Sequence, residues 1–386
     1  MPSLGESTEL LARLRRRAQN GPATPYAGET RLKETLDFGD NPGALRMLTY
    51  VPEGLAPSAP LVVVLHGCTQ RAEAHAHAAG WLTLADRCGF AVVAPEQTQA
   101  NNPNRCFNWF QPEDATRGRG EAASIRAMVA HAIRTHGLDS RRVFVTGLSA
   151  GGAMTSVMLA TYPEVFAAGA VVAGLPYGVA ANVQEALAAM HGGRAHAAAD
   201  LGARVRRAAP AGSPLPRLSV WHGSADTTVK PRAATDTARQ WAAAHGLASE
   251  PDETHALSGR TRAVWRGPGS DEVLIELNLI QGLGHGTPLA TGAPEGVGAA
   301  GAFMLEAGVS SSREIARFWD LPETASPVAA SEAATPRPAL ADAPELGRRH
   351  PVPASLGDQV MAALEKHVPG DVQGVIASAL RTARLM

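Results

Sequence analysis

Short runs of consecutive apolar residues alternate with Ala-rich stretches of helical character along most of the chain. Such runs predict strands at residues 45–51, 61–65, 91–94, 142–146, 168–172, 218–222 and 273–279. A strand that is apolar at consecutive positions, and not only at alternate ones, is typical of a sheet covered on both faces. The alternation of strands and helices therefore predicts an α/β fold with a mainly parallel sheet and helices on both faces.

The segments outside this alternation indicate how the chain is organised. Residues 1–25 are predicted to form a short basic helix or tail, and residues 26–321 are predicted to form the α/β domain. Within that domain, residues of about 177–216 form an Ala-, Gly- and Arg-rich insertion, which is either a helical lid or a surface excursion. Residues 322–355 are rich in Pro and Ala and predict a linker, and residues 356–386 have the apolar spacing of an amphipathic helix.

Composition and charge exclude several classes of protein. The 386 residues carry a formal net charge of −1, so charge gives no reason to expect nucleic acid as a partner. Every apolar run is shorter than the roughly 18 residues that cross a membrane. Three Cys residues are too few for a disulfide scaffold. Arg residues interrupt the apolar pairs near the N-terminus, so no Sec-type export signal is recognised and a cytoplasmic location is predicted.

A Gly-x-Ser-x-Gly motif follows the predicted strand at residues 142–146. It reads Gly147-Leu148-Ser149-Ala150-Gly151, and an Ala- and Met-rich helical stretch comes after it, which is the context of a nucleophile elbow. Glycine is needed on both sides because a Cβ would clash in so tight a reversal from strand to helix. The motif predicts Ser149 as a nucleophile at a helix N-terminus. The alternative is a chance match in a Gly-rich chain.

A serine hydroxyl needs a histidine base and an orienting carboxylate to act as a nucleophile. When an elbow supplies the serine, the acid and then the histidine follow it along the chain. Asp226 lies in the loop after the strand at 218–222, and His285 lies in a Gly-rich loop after the strand at 273–279. Both loops leave the carboxyl ends of their strands, where α/β sheets place their sites. The alternatives are a capping Asp and a solvated loop His.

Two backbone N–H groups are expected to form an oxyanion hole. One belongs to Ala150, the residue after the predicted nucleophile. The other is expected in the loop of residues 66–70, which follows the strand at 61–65. In that loop Gly67 allows the backbone to approach the substrate, and the Cys68 N–H is the natural donor.

The remaining histidines give no sign of a metal site. His75 and His77 lie in an Ala-rich helical run and are predicted to be exposed. Their i, i+2 spacing does not place them on one face of a helix, as a pair of metal ligands on a helix requires. No metal ion is therefore predicted.

Three segments together resemble the poly(3-hydroxybutyrate) depolymerase family of α/β-hydrolase esterases, which also contains feruloyl and acetylxylan esterases. They are His66-Gly67-Cys68-Thr69-Gln70, Arg105-Cys106-Phe107-Asn108-Trp109-Phe110 and Gly147-Leu148-Ser149-Ala150-Gly151-Gly152-Ala153-Met154. The resemblance covers about residues 34–321. It implies an α/β-hydrolase fold, cleavage of carboxylic esters without a cofactor, and Ser149, Asp226 and His285 as the catalytic triad.

The resemblance also implies roles for residues near the predicted oxyanion loop. In secreted members of the family, a Cys beside this loop is bonded to one in the Asn-Trp segment, which here means Cys68 and Cys106. The alternative is two free thiols in a reducing cytoplasm. Cys88 is predicted to be a small buried residue. Trp109 and Phe110 either line the acyl pocket or are ordinary core aromatics.

These observations predict a serine carboxylic-ester hydrolase that cleaves hydroxyalkanoate esters through an acyl-enzyme. Its partner is an ester substrate. One alternative is a feruloyl or acetylxylan esterase with the same triad. The other is a non-catalytic protein that binds a granule or a partner through the C-terminal helix. The family that the chain resembles is commonly extracellular, whereas the N-terminal sequence predicts the cytoplasm.

Overall fold

The structure is a computed structural model that describes residues 30–293 and 295–323. The predicted N-terminal helix at 1–25 and the predicted amphipathic helix at 356–386 lie outside the described residues. So does all of the predicted linker after its first two residues.

Apolar runs form the strands of a ten-stranded sheet in the described part of the chain. Its strands are β1 (Lys33–Thr35), β2 (Arg46–Tyr50), β3 (Leu61–Leu65), β4 (Ala91–Glu96), β5 (Val143–Leu148), β6 (Ala168–Val172), β7 (Arg217–Gly223), β8 (Glu253–Leu257), β9 (Arg260–Arg266) and β10 (Val273–Ile280). A small separate sheet pairs β11 (Thr287–Leu289) with β12 (Met304–Glu306). The helices are α1 (Ala72–Ala78), α2 (Trp81–Cys88), α3 (Gly120–His136), α4 (Ala150–Thr161), α5 (Val183–Met190), α6 (Ala198–Ala208), α7 (Arg232–His245) and α8 (Ser311–Phe318).

The strand order in the large sheet is β1-β2-β4-β3-β5-β6-β7-β10-β9-β8. The strands from β4 to β10 in this order are parallel, and the outer strands are antiparallel. All seven predicted strands are present, with bounds shifted by one or two residues. Strands β1, β8 and β9 were not predicted, because β1 and β8 are largely exposed and β9 begins with polar residues. The carboxyl ends of β3, β5, β7 and β10 lie at one edge, which brings the predicted site loops together.

Helices cover both faces of the sheet, as predicted. In the fully buried central strand β3, Leu61, Val63 and Leu65 contribute to one apolar cluster and Val62 and Val64 to another. The first cluster packs under α3, α4, α6 and α7, and the second under α1, α2 and α8. In the second cluster the ring of Trp319 stacks on Trp81 and on Phe144. Alternate burial on two faces explains why the strand sequence is apolar at every position.

The insertion at 177–216 is packed against the domain. It contains α5 and α6, and α6 lies so close to α7 that a Cβ on Gly202 would stand 2.7 Å from the Cβ of Ala243. No helix of the described residues is long and apolar enough to cross a membrane.

The prediction that His75 is exposed was wrong. Helix α1 buries the face formed by Ala72, His75 and Ala76, so the imidazole of His75 is inside the protein. Burial lowers the pKa of His75 to about 3. His77, on another side of the same helix, is half-buried.

Candidate active site

Ser149 lies at the sharp reversal between β5 and α4. Its backbone has φ 57° and ψ −116°, a strained conformation for a residue with a side chain. A Cβ on Gly147 would stand 2.4 Å from the carbonyl of Gly151, and a Cβ on Gly151 would stand 2.3 Å from the carbonyl oxygen of Leu65. The local geometry is therefore that of a nucleophile elbow. Only glycine fits at the position before Leu148 and at the position after Ala150.

The structure brings together the three side chains predicted to form a triad. Nε2 of His285 lies 2.9 Å from Oγ of Ser149, and Nδ1 of His285 lies 2.7 Å from Oδ2 of Asp226. A carboxylate accepts hydrogen bonds, so Nδ1 carries the proton and Nε2 is left to accept the serine hydroxyl proton. This tautomer is the one that general-base activation of a serine requires.

The carboxylate of Asp226 is held by its own loop. Its Oδ1 accepts the backbone N–H groups of Thr228, at 2.8 Å, and Val229, at 3.0 Å. Burial would raise the pKa of Asp226, but hydrogen bonds from His222 and His285 outweigh burial and hold that pKa well below its ordinary value. The side chain is therefore ionised at neutral pH and orients the imidazole of His285.

The residues of the two predicted oxyanion donors line the same cavity as Ser149. Ala150 is the first residue of α4. The N–H groups of the first turn of a helix have no acceptor within that helix, so the Ala150 N–H has none there. The loop carrying Cys68 is held on both sides: the Gly67 N–H donates to Oε1 of Gln70 at 2.8 Å, and the Thr69 N–H donates to the Asn104 carbonyl at 2.6 Å. Both Cys68 and Ala150 line the cavity.

A disulfide joins Cys68 to Cys106, as the family resemblance implied. It ties the loop of the predicted oxyanion donor to the segment that carries Trp109 and Phe110. Cys88 is free and buried, as predicted, and burial raises the pKa of its thiol to about 11.

A largely apolar cavity of about 240 Å³ opens beside Ser149. Trp109 and Phe110 line it, and both are also buried in the core cluster of the first sheet face. Cavities of this kind, apolar with a few polar groups at one point, are typical of sites for small apolar ligand groups.

Comparison with known proteins identifies the family. A family model described as Esterase PHB depolymerase matches residues 45–263. The chain belongs to this family. The poly(3-hydroxyalkanoate) depolymerase C of Paucimonas lemoignei is 44% identical over 293 residues, which cover 75% of this chain and 70% of the relative. The feruloyl esterase B of Talaromyces stipitatus is 34% identical over 266 residues, covering 67% of this chain and 72% of the relative.

The protein is accordingly a carboxylic ester hydrolase of the PHB depolymerase family. Its fold is that of an α/β-hydrolase. The solved acetyl xylan esterase from Aspergillus awamori superposes with a TM-score of 0.64 at 27% sequence identity, covering 76% of this chain and all of that one. Membership in an esterase family decides against the non-catalytic alternative.

One wall of the esterase's cavity comes from α5, in the insertion at 177–216. Val183, Ala186, Leu187 and Met190 line the cavity. From the sequence alone this insertion is either a lid or a surface excursion, and none of these four residues is predicted to belong to the site. Their i, i+3, i+4, i+7 spacing is the pattern of one helix face, and that signal was available in the sequence.

A second group missed from sequence lies behind the aromatic wall. Glu121, at the start of α3, is buried, and its carboxylate accepts hydrogen bonds from the side chain of Gln97 and, at 2.9 Å, from the backbone N–H of Asn108. Gln97 also donates to the Cys106 carbonyl at 3.1 Å. This buried network fixes the backbone of the segment that carries Trp109.

Glu121 is expected to make stability depend on pH. Burial, with the charge of Asp114 adding to it, raises the pKa of Glu121 from 4.5 to about 8. Between these values the folded protein keeps a proton that the unfolded chain releases, so this group's stabilisation is complete below about pH 4.5 and is lost as pH rises towards 8. We expect Glu121→Gln to flatten the fall of the unfolding temperature between pH 5 and 8, measured by calorimetry. Equal slopes in both proteins would contradict this assignment.

Removing the disulfide is expected to destabilise the esterase. Its two cysteines are 38 residues apart, and closing a loop of that length stabilises a protein by about 4 kcal/mol in the chain-entropy model. Cys106→Ser should lower the free energy of unfolding by a comparable amount and reduce activity, because the loop of Cys68 loses an anchor. The control is Cys88→Ala, which leaves the bond intact. Thiol titration of the unreduced, denatured protein should find one thiol, and three would exclude the bond.

Proposed function

We propose that this esterase cleaves esters of hydroxyalkanoic acids through an acyl-enzyme, with Ser149, His285 and Asp226 as its triad. The observation that carries the proposal is the continuous line of hydrogen bonds from Asp226 through His285 to Ser149, which ends at the apolar cavity. That arrangement is the one that activation of a serine by a histidine base and an orienting carboxylate requires.

The proposed reaction has two halves. Nε2 of His285 takes the hydroxyl proton of Ser149 as Oγ attacks the ester carbonyl, and the backbone N–H groups of Ala150 and Cys68 hold the oxyanion. The tetrahedral intermediate expels the alcohol, which receives its proton from His285. Water then attacks the acyl-enzyme with His285 as base and releases the acid. Asp226 stays ionised throughout and stabilises the imidazolium.

The substrate class rests on likeness and on the cavity together. The relative named as a poly(3-hydroxyalkanoate) depolymerase is 44% identical over 75% of the chain, whereas the relatives named as acetylxylan and feruloyl esterases are 32–37% identical over 58–68%. The apolar walls from Trp109, Phe110 and α5 suit the aliphatic part of such an acyl unit.

Two experiments test the proposal. A fluorophosphonate probe should add one adduct to the intact protein, and peptide mapping should locate it on Ser149. In a panel of hydroxybutyrate oligomers, methyl ferulate and acetylated xylo-oligosaccharides, the oligomers should have the highest kcat/KM. An unlabelled Ser149 would overturn the mechanism. Preference for ferulate or acetyl esters would instead support the alternative substrate class with the same triad.

A further inference from the structure

A second imidazole contacts the carboxylate of Asp226. His222 lies near the end of β7, is 1% exposed, and points its Nε2 at two acceptors. The Val229 carbonyl oxygen is 2.8 Å away and Oδ2 of Asp226 is 3.3 Å away. Within the described part of the chain, Nδ1 of His222 has no hydrogen-bond partner. Nothing in the chemistry of a Ser-His-Asp triad requires this second ring.

The surroundings of His222 determine where its proton lies. A backbone carbonyl and an ionised carboxylate only accept hydrogen bonds, so Nε2 must carry the hydrogen and donate it. That single N–H is shared between Val229 and Asp226. The shorter distance is to the Val229 carbonyl, so the carboxylate takes the weaker share of this N–H.

The backbone around Asp226 is already fixed to the loop of His285. The Ala225 N–H donates to the Leu283 carbonyl at 3.0 Å, and a Cβ on Gly223 would stand 2.2 Å from that same carbonyl oxygen. The two loops are therefore in backbone contact. This contact does not fix the rotation of the Asp226 carboxylate about its Cβ–Cγ bond. Oδ1 has two backbone donors, and Oδ2 would otherwise have His285 alone.

We propose that His222 is a positioning residue for Asp226, giving Oδ2 a second donor so that the carboxylate stays turned towards His285. The inference rests on the proposed function, because it takes Asp226 as the orienting acid. With His222 in place Oδ2 has the His285 donor and a share of the His222 N–H, so rotating the group would disturb contacts at both oxygens. The hydrogen bond to the Val229 carbonyl holds the imidazole of His222 against the loop that carries Asp226.

His222 also limits how strongly Asp226 holds a protonated His285. A carboxylate oxygen with two donors has less charge to offer each of them than an oxygen with one. Removing the His222 donor should therefore strengthen the hold of Asp226 on the imidazolium form of His285, so that the enzyme becomes active only at higher pH. It should also loosen the carboxylate, which lowers kcat. A residue that merely filled space would produce neither the pH effect nor its rescue.

Two amide substitutions separate positioning from packing. The amide nitrogen of glutamine reaches about as far as Nε2 of histidine, whereas that of asparagine reaches about as far as Nδ1. We expect His222→Asn to lower kcat by roughly 10- to 100-fold, the range for one hydrogen bond to a charged group, and to raise the acidic midpoint of the kcat/KM profile. His222→Gln should recover most of the activity and return that midpoint towards the wild-type value.

The matched control is His245, a half-buried histidine of α7 whose Nε2 faces the Pro216 carbonyl at 3.2 Å. It makes the same kind of bond to a backbone carbonyl, but no hydrogen bond or ion pair among the described residues joins it to Asp226, His285 or Ser149. His245→Asn should cost stability and leave the pH profile unchanged. If His222→Asn and His222→Gln behave alike, or change only the unfolding temperature as His245→Asn does, the positioning role is wrong.

A measurement on the wild-type protein can also overturn the proposal, even if a variant does not fold. Nitrogen-15 NMR of histidine-labelled protein should find Nε2 of His222 protonated and Nδ1 unprotonated at neutral pH, and the reverse tautomer would overturn the proposal. Ser149→Ala keeps the two hypotheses apart. An active Ser149→Ala protein would refute the proposed function. An inactive one, together with His222 variants that keep full activity, would refute the inference on His222 alone.

Discussion

Replacing Ser149 with alanine is expected to lower kcat for ester hydrolysis by roughly a factor of 10⁶, the size found when a triad serine is removed elsewhere. The reason is that the acyl-enzyme can no longer form, while the oxyanion donors of Cys68 and Ala150 remain. The fold should persist, because alanine keeps the Cβ of serine and loses only its hydroxyl. Among the contacts described, the side chain of Ser149 makes one hydrogen bond, to His285. Single-turnover kinetics on a hydroxybutyrate oligomer would measure the loss.

The control for this substitution is Ser312→Ala in α8. The side chain of Ser312 is buried, and its hydroxyl donates to the Ala79 carbonyl at 2.7 Å. Losing that bond should cost about 1 kcal/mol of stability and leave kcat unchanged. The fluorophosphonate probe should label Ser312→Ala and fail to label Ser149→Ala. Hydrolysis by Ser149→Ala at the rate of the control would show that another group is the nucleophile.

The elbow was predictable because its determinants are local. A tight reversal from a buried strand to a helix needs glycine on both sides. The five-residue motif around Ser149 contains both of these glycines, so the reversal can be recognised from the motif alone. Asp226 and His285 were found in the same way, from their positions just after apolar strands. The parallel sheet then brings the three side chains together, because it places the carboxyl ends of β5, β7 and β10 at one edge.

The features that escaped prediction depend on partners distant in sequence. Strand β8 is exposed along its length, so no apolar run marks it, and it forms because β9 offers an antiparallel edge. The burial of Glu121 is invisible in its own helix, because its donors come from Gln97 and Asn108. His222 lies four residues before Asp226, yet only the folded turn brings Nε2 to the carboxylate.

The same distinction applies to the two kinds of segment that form the site. The loops of Asp226 and His285 contact each other through the backbone, and the loop of Cys68 is held by a disulfide and by the Asn104 carbonyl. One wall of the cavity, in contrast, comes from α5, which belongs to an insertion between two strands. The proposed catalytic groups are thus positioned by loops at the carboxyl edge of the sheet, whereas the shape of the cavity depends in part on a helix of the insertion.

Replacing Asp226 with asparagine is expected to lower kcat by about 10⁴-fold, the size seen when a triad aspartate becomes an amide. Oδ1 of Asp226 accepts two backbone N–H groups, from Thr228 and Val229, so the amide oxygen of asparagine must take that position. The amide N–H₂ then faces His285, which must present a lone pair to it from Nδ1. The proton of His285 moves to Nε2, and the ring can no longer accept the hydroxyl proton of Ser149.

Two measurements test this account of Asp226→Asn. The fluorophosphonate probe should react with Ser149 far more slowly than in the wild-type protein, and nitrogen-15 NMR should find the proton of the His285 ring on Nε2. Asp236→Asn in α7, which loses an ion pair with Arg232 at the edge of that helix, is the control and should keep full activity. If Asp226→Asn hydrolyses esters as fast as Asp236→Asn, the carboxylate does not orient the base, and the hydrogen bond to His285 is structural only.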